Sequence, residues 1–381
     1  MGIVTIVLAL ALCLAGCVQP PVGSWERLGT VDGSVVLSMT SDPTVTGQLY
    51  AGTSAGQVVR TRVDSRGTAP SAGIPSSATV SVLVADPAHA GLVYAGTSQG
   101  LYVSTDYGDS WHARGHGLPQ DDPPEALALD SAVAGASSLY AGTQQHGAYM
   151  SRDGGRTWAS ASAGLPRTAN IYSLDYDAAE GTLFAALTAG DGVYALAGGS
   201  PAWVARGAGL PAQADAFVVL PVAGKTGEML YAGTSVGLYA SADHAATWHA
   251  VGFDKQRVLS LAADPTAPST VYAGTDTTVY RSTDGATWTL VAPGINHQVP
   301  AITVLADAHG HPVVFVGADS ILRYPAVPGN SDSLGSVLAV IIFFVLFGVI
   351  FYFSRRSLRQ LRTIPPGGSV PPPELRLPET G

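Results

Sequence analysis

The sequence predicts an all-β fold: a seven-bladed β-propeller with an N-/C-terminal strand latch, followed by one C-terminal transmembrane helix. Three observations carry this prediction. A Tyr-Ala-Gly-Thr string recurs about every 44 residues, a tryptophan series keeps the same period, and one long apolar run stands near the C-terminus. Units of about 40–50 residues that each hold four short strands read as propeller blades. A chain that is 46% apolar and 12% charged is not a disordered one, because disorder needs low hydrophobicity and high net charge.

Taken from the N-terminus, residues 3–16 are apolar, uncharged and too short to span a bilayer comfortably. They read as a signal-peptide core, although no Lys or Arg precedes them. The segment closes on Leu14-Ala15-Gly16-Cys17, which resembles a bacterial lipobox. The resemblance implies a signal peptide over 1–16, a lipid on Cys17 and a linker over 17–23. Cys13 and Cys17 are the two cysteines of the chain, so the remainder holds no disulfide, thiolate metal site or cysteine nucleophile.

The propeller is expected over 24–330. Tyr-Ala-Gly-Thr begins at Tyr50, Tyr94, Tyr140, Tyr231 and Tyr272, and degenerate copies begin at Phe184 and Phe315, which makes seven units. The units share one order: an apolar stretch ending in Asp (Asp86, Asp264, Asp307), the Tyr-Ala-Gly-Thr strand, a Gly turn, a third strand, then a tight turn and a Trp strand. Trp111, Trp158, Trp203, Trp248 and Trp288 keep the period. The first unit has Ala69 where its tryptophan is due, the seventh has none, and Trp25 precedes the first unit. The seventh unit therefore takes its Trp strand from the N-terminus, which closes the ring and leaves no free edge.

The tight turns read STDYGDSW over 104–111, SRDGGRTW over 151–158, SADHAATW over 241–248 and STDGATW over 282–288. They resemble the Asp-box, or BNR repeat, Ser-x-Asp-x-Gly-x-Thr-Trp. The expected propeller, though not the C-terminal helix, is similar to the photosystem II stability/assembly-factor-like group of such (sortilin/sialidase-type) propellers. The third copy has Ala245 for the glycine, and the fourth is one residue short. Asp106, Asp153, Asp243 and Asp284 should accept backbone N–H bonds across their turns. Trp111, Trp158, Trp248 and Trp288 should bury against the neighbouring sheet. The resemblance implies that these aspartates are not catalytic.

Propellers of this kind include sialidases, endoglucanases and noncatalytic proteins. A sialidase needs an arginine triad and an Arg-Ile-Pro-type motif; none is present, and Arg60, Arg62 and Arg66 fall in one unit. A glycosidase needs two carboxylates flanking the bond, and the propeller has four glutamates: Glu26, Glu125, Glu180 and Glu228. His309-Gly310-His311 lacks an evident third metal ligand. The expectation is a noncatalytic scaffold with no cofactor or metal, which binds an unknown protein or glycan. The alternative is a cell-surface glycoside hydrolase. Binding is expected on the loops between units, several of which carry a Gly-Leu-Pro turn (117–119, 164–166, 209–211) and which would share one face. Their candidate residues are Arg167, Lys255, Arg257 and His297.

The last element is the apolar run at 337–353, extended to a spanning helix over 331–354. Arg355, Arg356, Arg359 and Arg362 follow it, whereas 325–336 holds no Lys or Arg. The positive-inside rule then places the tail, 355–381, in the cytoplasm and the propeller outside the cytoplasmic membrane. The membrane is thus an expected partner, through this helix and the acyl anchor. The net charge of −9 comes from an acidic propeller, which argues against nucleic acid. The Pro-rich tail ends in Leu377-Pro378-Glu379-Thr380-Gly381, a sortase-type pentapeptide. A working signal has its apolar and basic segments after the pentapeptide, so this one reads as coincidence or an added tag.

Overall fold

The structure, a computed structural model, describes residues 24–30, 33–65, 67–130, 138–224 and 227–324. The expected signal peptide, Cys17, the helix expected over 331–354 and the tail lie outside the described residues. Among those described, no helix is long and apolar enough to cross a membrane, and 28 strands form seven four-stranded antiparallel sheets. Blades 1 to 6 each take four consecutive strands, over 36–70, 80–114, 126–160, 171–205, 216–252 and 258–290. Blade 7 takes Ala301–Ala306, Pro312–Gly317 and Ser320–Tyr324, and adds Glu26–Thr30 as its outer strand. Glu26 stands opposite Arg323 in that pairing. First strands lie innermost, touch their neighbours around the ring, and close from blade 7 onto blade 1.

Three letters of the Tyr-Ala-Gly-Thr string, the Tyr, the Gly and the Thr, have a packing reason. This second strand is sandwiched between blades, and Val93–Thr97 is buried throughout. The tyrosines Tyr50, Tyr94 and Tyr231 lie under a glycine of the next blade's tight turn, Gly108, Gly155 and Gly285. The threonines Thr97, Thr143 and Thr234 close the following hairpin by donating their hydroxyls to the carbonyls of Gly100, Gly147 and Gly237 at 2.8–3.0 Å. The glycine marks where the next blade arrives. A Cβ at Gly52, Gly142 or Gly317 would stand 2.4–2.6 Å from Val80, Ile171 or Val36, closer than packed side chains allow.

The tight turns are stitched by their own side chains. Asp106 Oδ1 accepts the Ser110 N–H at 2.9 Å, and Gly108 N–H donates to Ser104 Oγ at 2.8 Å. The same pattern holds at Asp153 with Thr157 and Gly155, and at Asp243 with Thr247 and Ala245. Asp284 accepts from Ala286 and Thr287 in its shorter turn. Ala245 takes φ +62°, the conformation its glycine counterparts adopt.

Tryptophans then clamp blade to blade. The indole N–H donates to Ser71 Oγ from Trp111, to the Ala161 carbonyl from Trp203, and to the Arg206 carbonyl from Trp248, each on the preceding blade. Trp25 serves blade 7 in the same way, donating to Ala292 of blade 6. Trp158 donates within its own turn, to Gly155, and Trp288 packs on Phe253 with ring centroids 5.3 Å apart. The apolar core is accordingly divided into seven clusters, one at each interface between adjacent blades. Stability in such an arrangement is a sum of nearest-neighbour interfaces.

The latch carries an ion pair between a buried arginine and a half-buried glutamate. Arg323 is 0% exposed; its Nη2 donates to Glu26 Oε2 at 2.6 Å, and its Nη1 donates to the carbonyls of Val63 and Ser65 in blade 1 at 2.8 and 2.7 Å. One guanidinium thus joins the N-terminal strand, the last strand and the first blade.

Candidate functional site

One rim of the ring is formed by the segments that enter the inner strands and by the hairpins between second and third strands. These are tied together blade by blade. Ser54, Ser98, Thr188 and Ser235 in the hairpins donate backbone N–H bonds of 2.9–3.0 Å to Val35, Thr79, Asn170 and Asp215 in the entering segments. An axial cavity of about 310 Å³ lies against the inner strands of all seven blades and meets this rim at Glu125, Gln144, Asn170 and Pro300.

The side chains at this mouth are of mixed character. Tyr172, 48% exposed, meets Phe217 of the next blade edge-on with ring centroids 5.3 Å apart. Burial pushes the Tyr172 hydroxyl's pKa up; Glu125 acts in the same direction and Arg257 opposes it. Arg257 is itself held by Asp276, Nε donating to Oδ2 at 3.1 Å and Nη2 to Oδ1, and this pairing keeps its charge fixed. Gln144 and Asn170 add amide donors and acceptors. Glu125 is the one carboxylate among the described residues lining the cavity.

The four loop residues proposed from sequence are placed differently from one another. Arg257 does not line the cavity, but its charge acts on the Tyr172 hydroxyl there. Lys255, two residues earlier, has φ +59° and donates its N–H to Val236; it does not line the cavity. Arg167 is exposed in the segment leading to Asn170. His297 is exposed, with Nε2 4.0 Å from Asp319, which also pairs with Arg27 at 3.4 Å. The Gly-Leu-Pro turns are largely absorbed by packing: Gly117, Gly164 and Gly209 lie against the backbones of Trp158, Trp203 and Trp248 of the following blade. Tyr172 and Phe217 escaped sequence reasoning because both sit at the start of strands that read as core. The available signal was an aromatic at the solvent end of an inner strand in two successive units.

None of the four turn aspartates lines the cavity. The hydroxyl and N–H donors of their turns hold Asp106 and Asp243 down to about 2, and Asp153 and Asp284 below the usual carboxylate range. Arg60 is paired with Asp109 of the next blade. His311 and His309 fold onto Asp307, whose Oδ1 accepts both backbone N–H groups at 2.8 Å. Among the described residues, three potential metal-ligating side chains converge on the opposite rim, at Glu180, Glu228 and His244.

Fold and mouth together define a seven-bladed propeller with an axial pocket. No protein-family model and no curated protein sequence matches the chain. Solved structures share its fold. The GH74 xyloglucanase from Xanthomonas campestris is 17% identical, with a TM-score of 0.62 over 80% of this chain and 55% of its own. The extracellular domain of a putative hybrid two component system from B. thetaiotaomicron is 18% identical, with a TM-score of 0.63 over 81% of this chain and 40% of its own. YCF48 from Cyanidioschyzon merolae is 17% identical, with a TM-score of 0.59 over 79% of this chain and 98% of its own; a YCF48 has also been solved bound to a D1 peptide. The chain thus spans about half the length of the first two and nearly all of the third. At these identities the likeness is one of fold.

Proposed function

We propose that the chain is an Asp-box propeller, anchored in the cytoplasmic membrane and exposed outside it, that holds a protein or glycan segment at the axial mouth without catalysing a reaction. The observation that carries this reading is the Tyr172–Phe217 pair, an exposed aromatic edge beside two amides and a fixed Arg257–Asp276 pair. Aromatic surface next to a few oriented polar groups suits binding. Hydrolysis of a glycosidic bond wants two facing carboxylates, and Glu125 is the one carboxylate at the cavity among the described residues. The peptide complex of YCF48 is in keeping with a polymer ligand.

The anchoring rests on sequence: the lipobox-like Cys17 and the apolar 331–354 segment followed by arginines. Glu26 and Arg323 are paired neighbours on the rim opposite the mouth. The acidic body disfavours nucleic acid as a partner.

Crosslinking pull-down from membranes tests the binding reading, with the parent and Tyr172→Ala compared. Loss of one anchoring aromatic should cost about 1–2 kcal/mol of binding, close to tenfold or more in retained partner; equal recovery from both proteins would sink it. A parallel glycan-hydrolysis screen should give no turnover, and activity abolished by Glu125→Gln would replace the binding reading by the hydrolase one. For the anchors, Cys17→Ala should abolish acyl labelling, and protease added to intact cells should digest the propeller while sparing the tail.

A further inference from the structure

The repeat supplies its own internal controls on the rim opposite the mouth. In each of several blades an aspartate ends the inner strand and caps the hairpin with Oδ1, while its Oδ2 finds a donor. Asp42 Oδ2 accepts the Tyr50 hydroxyl at 2.8 Å, and Asp86 and Asp307 face His89 and His311 Nδ1 at 3.2 and 3.3 Å. Asp177 occupies this place in blade 4. Its Oδ1 accepts the Ala179 N–H at 2.9 Å, but Oδ2 is buried with no hydrogen-bond partner, and the residue is 6% exposed. The cause is local: blade 4 has Phe184 where blade 1 has Tyr50, so no hydroxyl is available.

Two further departures from the repeat meet at the same point. Glu228 lies three residues before Tyr231, where the corresponding positions of blades 1, 2 and 4 hold Gly47, Gly91 and Gly181. His244 lies in the tight turn of blade 5, where blades 2 and 3 have Tyr107 and Gly154. The His244 Nδ1 stands 3.2 Å from Glu228 Oε2. Glu180, from the first hairpin of blade 4, completes a group whose ligand atoms lie within 4.8 Å of one another. The Asp177 carboxyl abuts that of Glu228. A cavity of about 180 Å³ lined by Glu180 and His244 leaves room for coordinated water.

We propose that Glu180, Glu228 and His244 form a site for one first-row divalent transition cation, bridging blades 4 and 5, with the open oxygen of Asp177 behind it. Two carboxylates and one imidazole suit zinc or manganese better than calcium, which takes six to eight oxygens. The cation neutralises carboxylates that the fold brings together beside His244. Asp177 positions Glu228 and accepts from a coordinated water. The site is independent of the mouth and of the ligand bound there.

The test uses the full chain in mild detergent, freed of metal and titrated with zinc against a chromophoric competitor. The parent should bind one zinc that Glu228→Gln and His244→Ala each bind at least tenfold more weakly, and zinc should raise the melting temperature of the parent alone. The paired change His309→Ala with His311→Ala should leave this binding intact. Glu180→Gln, at an exposed position, serves as the third variant should either of the others fail to give the parent's far-UV spectrum. Absence of micromolar zinc binding by the parent, or parent affinity in the folded variants, overturns the proposal.

Discussion

Asp106 illustrates what a single residue contributes to this fold. It is half-buried, and its two carboxylate oxygens take the Ser104 hydroxyl and both the N–H and hydroxyl of Ser110. Those donors require the ionised form, so the folded pKa lies near 2 against an ordinary 3.8. Between those values the folded chain binds fewer protons than the unfolded one. The turn's contribution is therefore complete above pH 4 and is lost as pH falls toward 2. Asp106→Ala should lower the urea midpoint at pH 6, and the gap from the parent should narrow steadily on acidification to about pH 2.5. A constant gap across that range would mean the carboxylate charge is irrelevant to the turn. This role was legible in the sequence, because the Ser-x-Asp spacing brings donors and acceptor together within eight residues.

At the scale of the element, the Gly-Leu-Pro turn shows why a local motif can be misread. In sequence it looks like a loop free to carry binding residues. In the ring, Gly164 has φ +90°, and a Cβ there would stand 2.2 Å from the Trp203 carbonyl oxygen of the next blade. Gly199 also has positive φ, +76°, but open space around it. The pair separates backbone strain from collision. Gly199→Ala should cost about 1 kcal/mol, the left-handed penalty alone, whereas Gly164→Ala should cost at least about 2 kcal/mol more because backbone must move. Equal denaturant midpoints for the two variants would show that the blades yield at this contact. Only the segments beyond these turns, such as that leading to Asn170 and Tyr172, remain available for recognition.

At the scale of the whole molecule, closure depends on Arg323. Its acceptors are unreachable by local reasoning: Glu26 in the N-terminal strand, Val63 and Ser65 in the first blade. Removing one member of a buried charged pair typically costs about 3 kcal/mol or more, so Arg323→Ala should lower stability by that order and open the seam between blades 7 and 1. Hydrogen exchange should then rise first in Glu26–Thr30 and Ser320–Tyr324, ahead of blades 3 to 5; uniform loss of protection would argue against a seam. Arg323→Lys should recover little, since an ammonium cannot fork to three acceptors in one plane.

The sequence by itself determined the number of blades, the four strands in each, the tryptophan clamps and the strand borrowed for the seventh blade. It could do so because each of these is repeated at a fixed period, and a repeat records nearest-neighbour packing. The tertiary structure alone decided which departures from the repeat meet. Phe184, Glu228 and His244 lie on two blades and three hairpins; Tyr172 and Phe217 begin two different inner strands. Their contacts depend on the rotation between neighbouring blades, and that rotation is set by the whole closed ring.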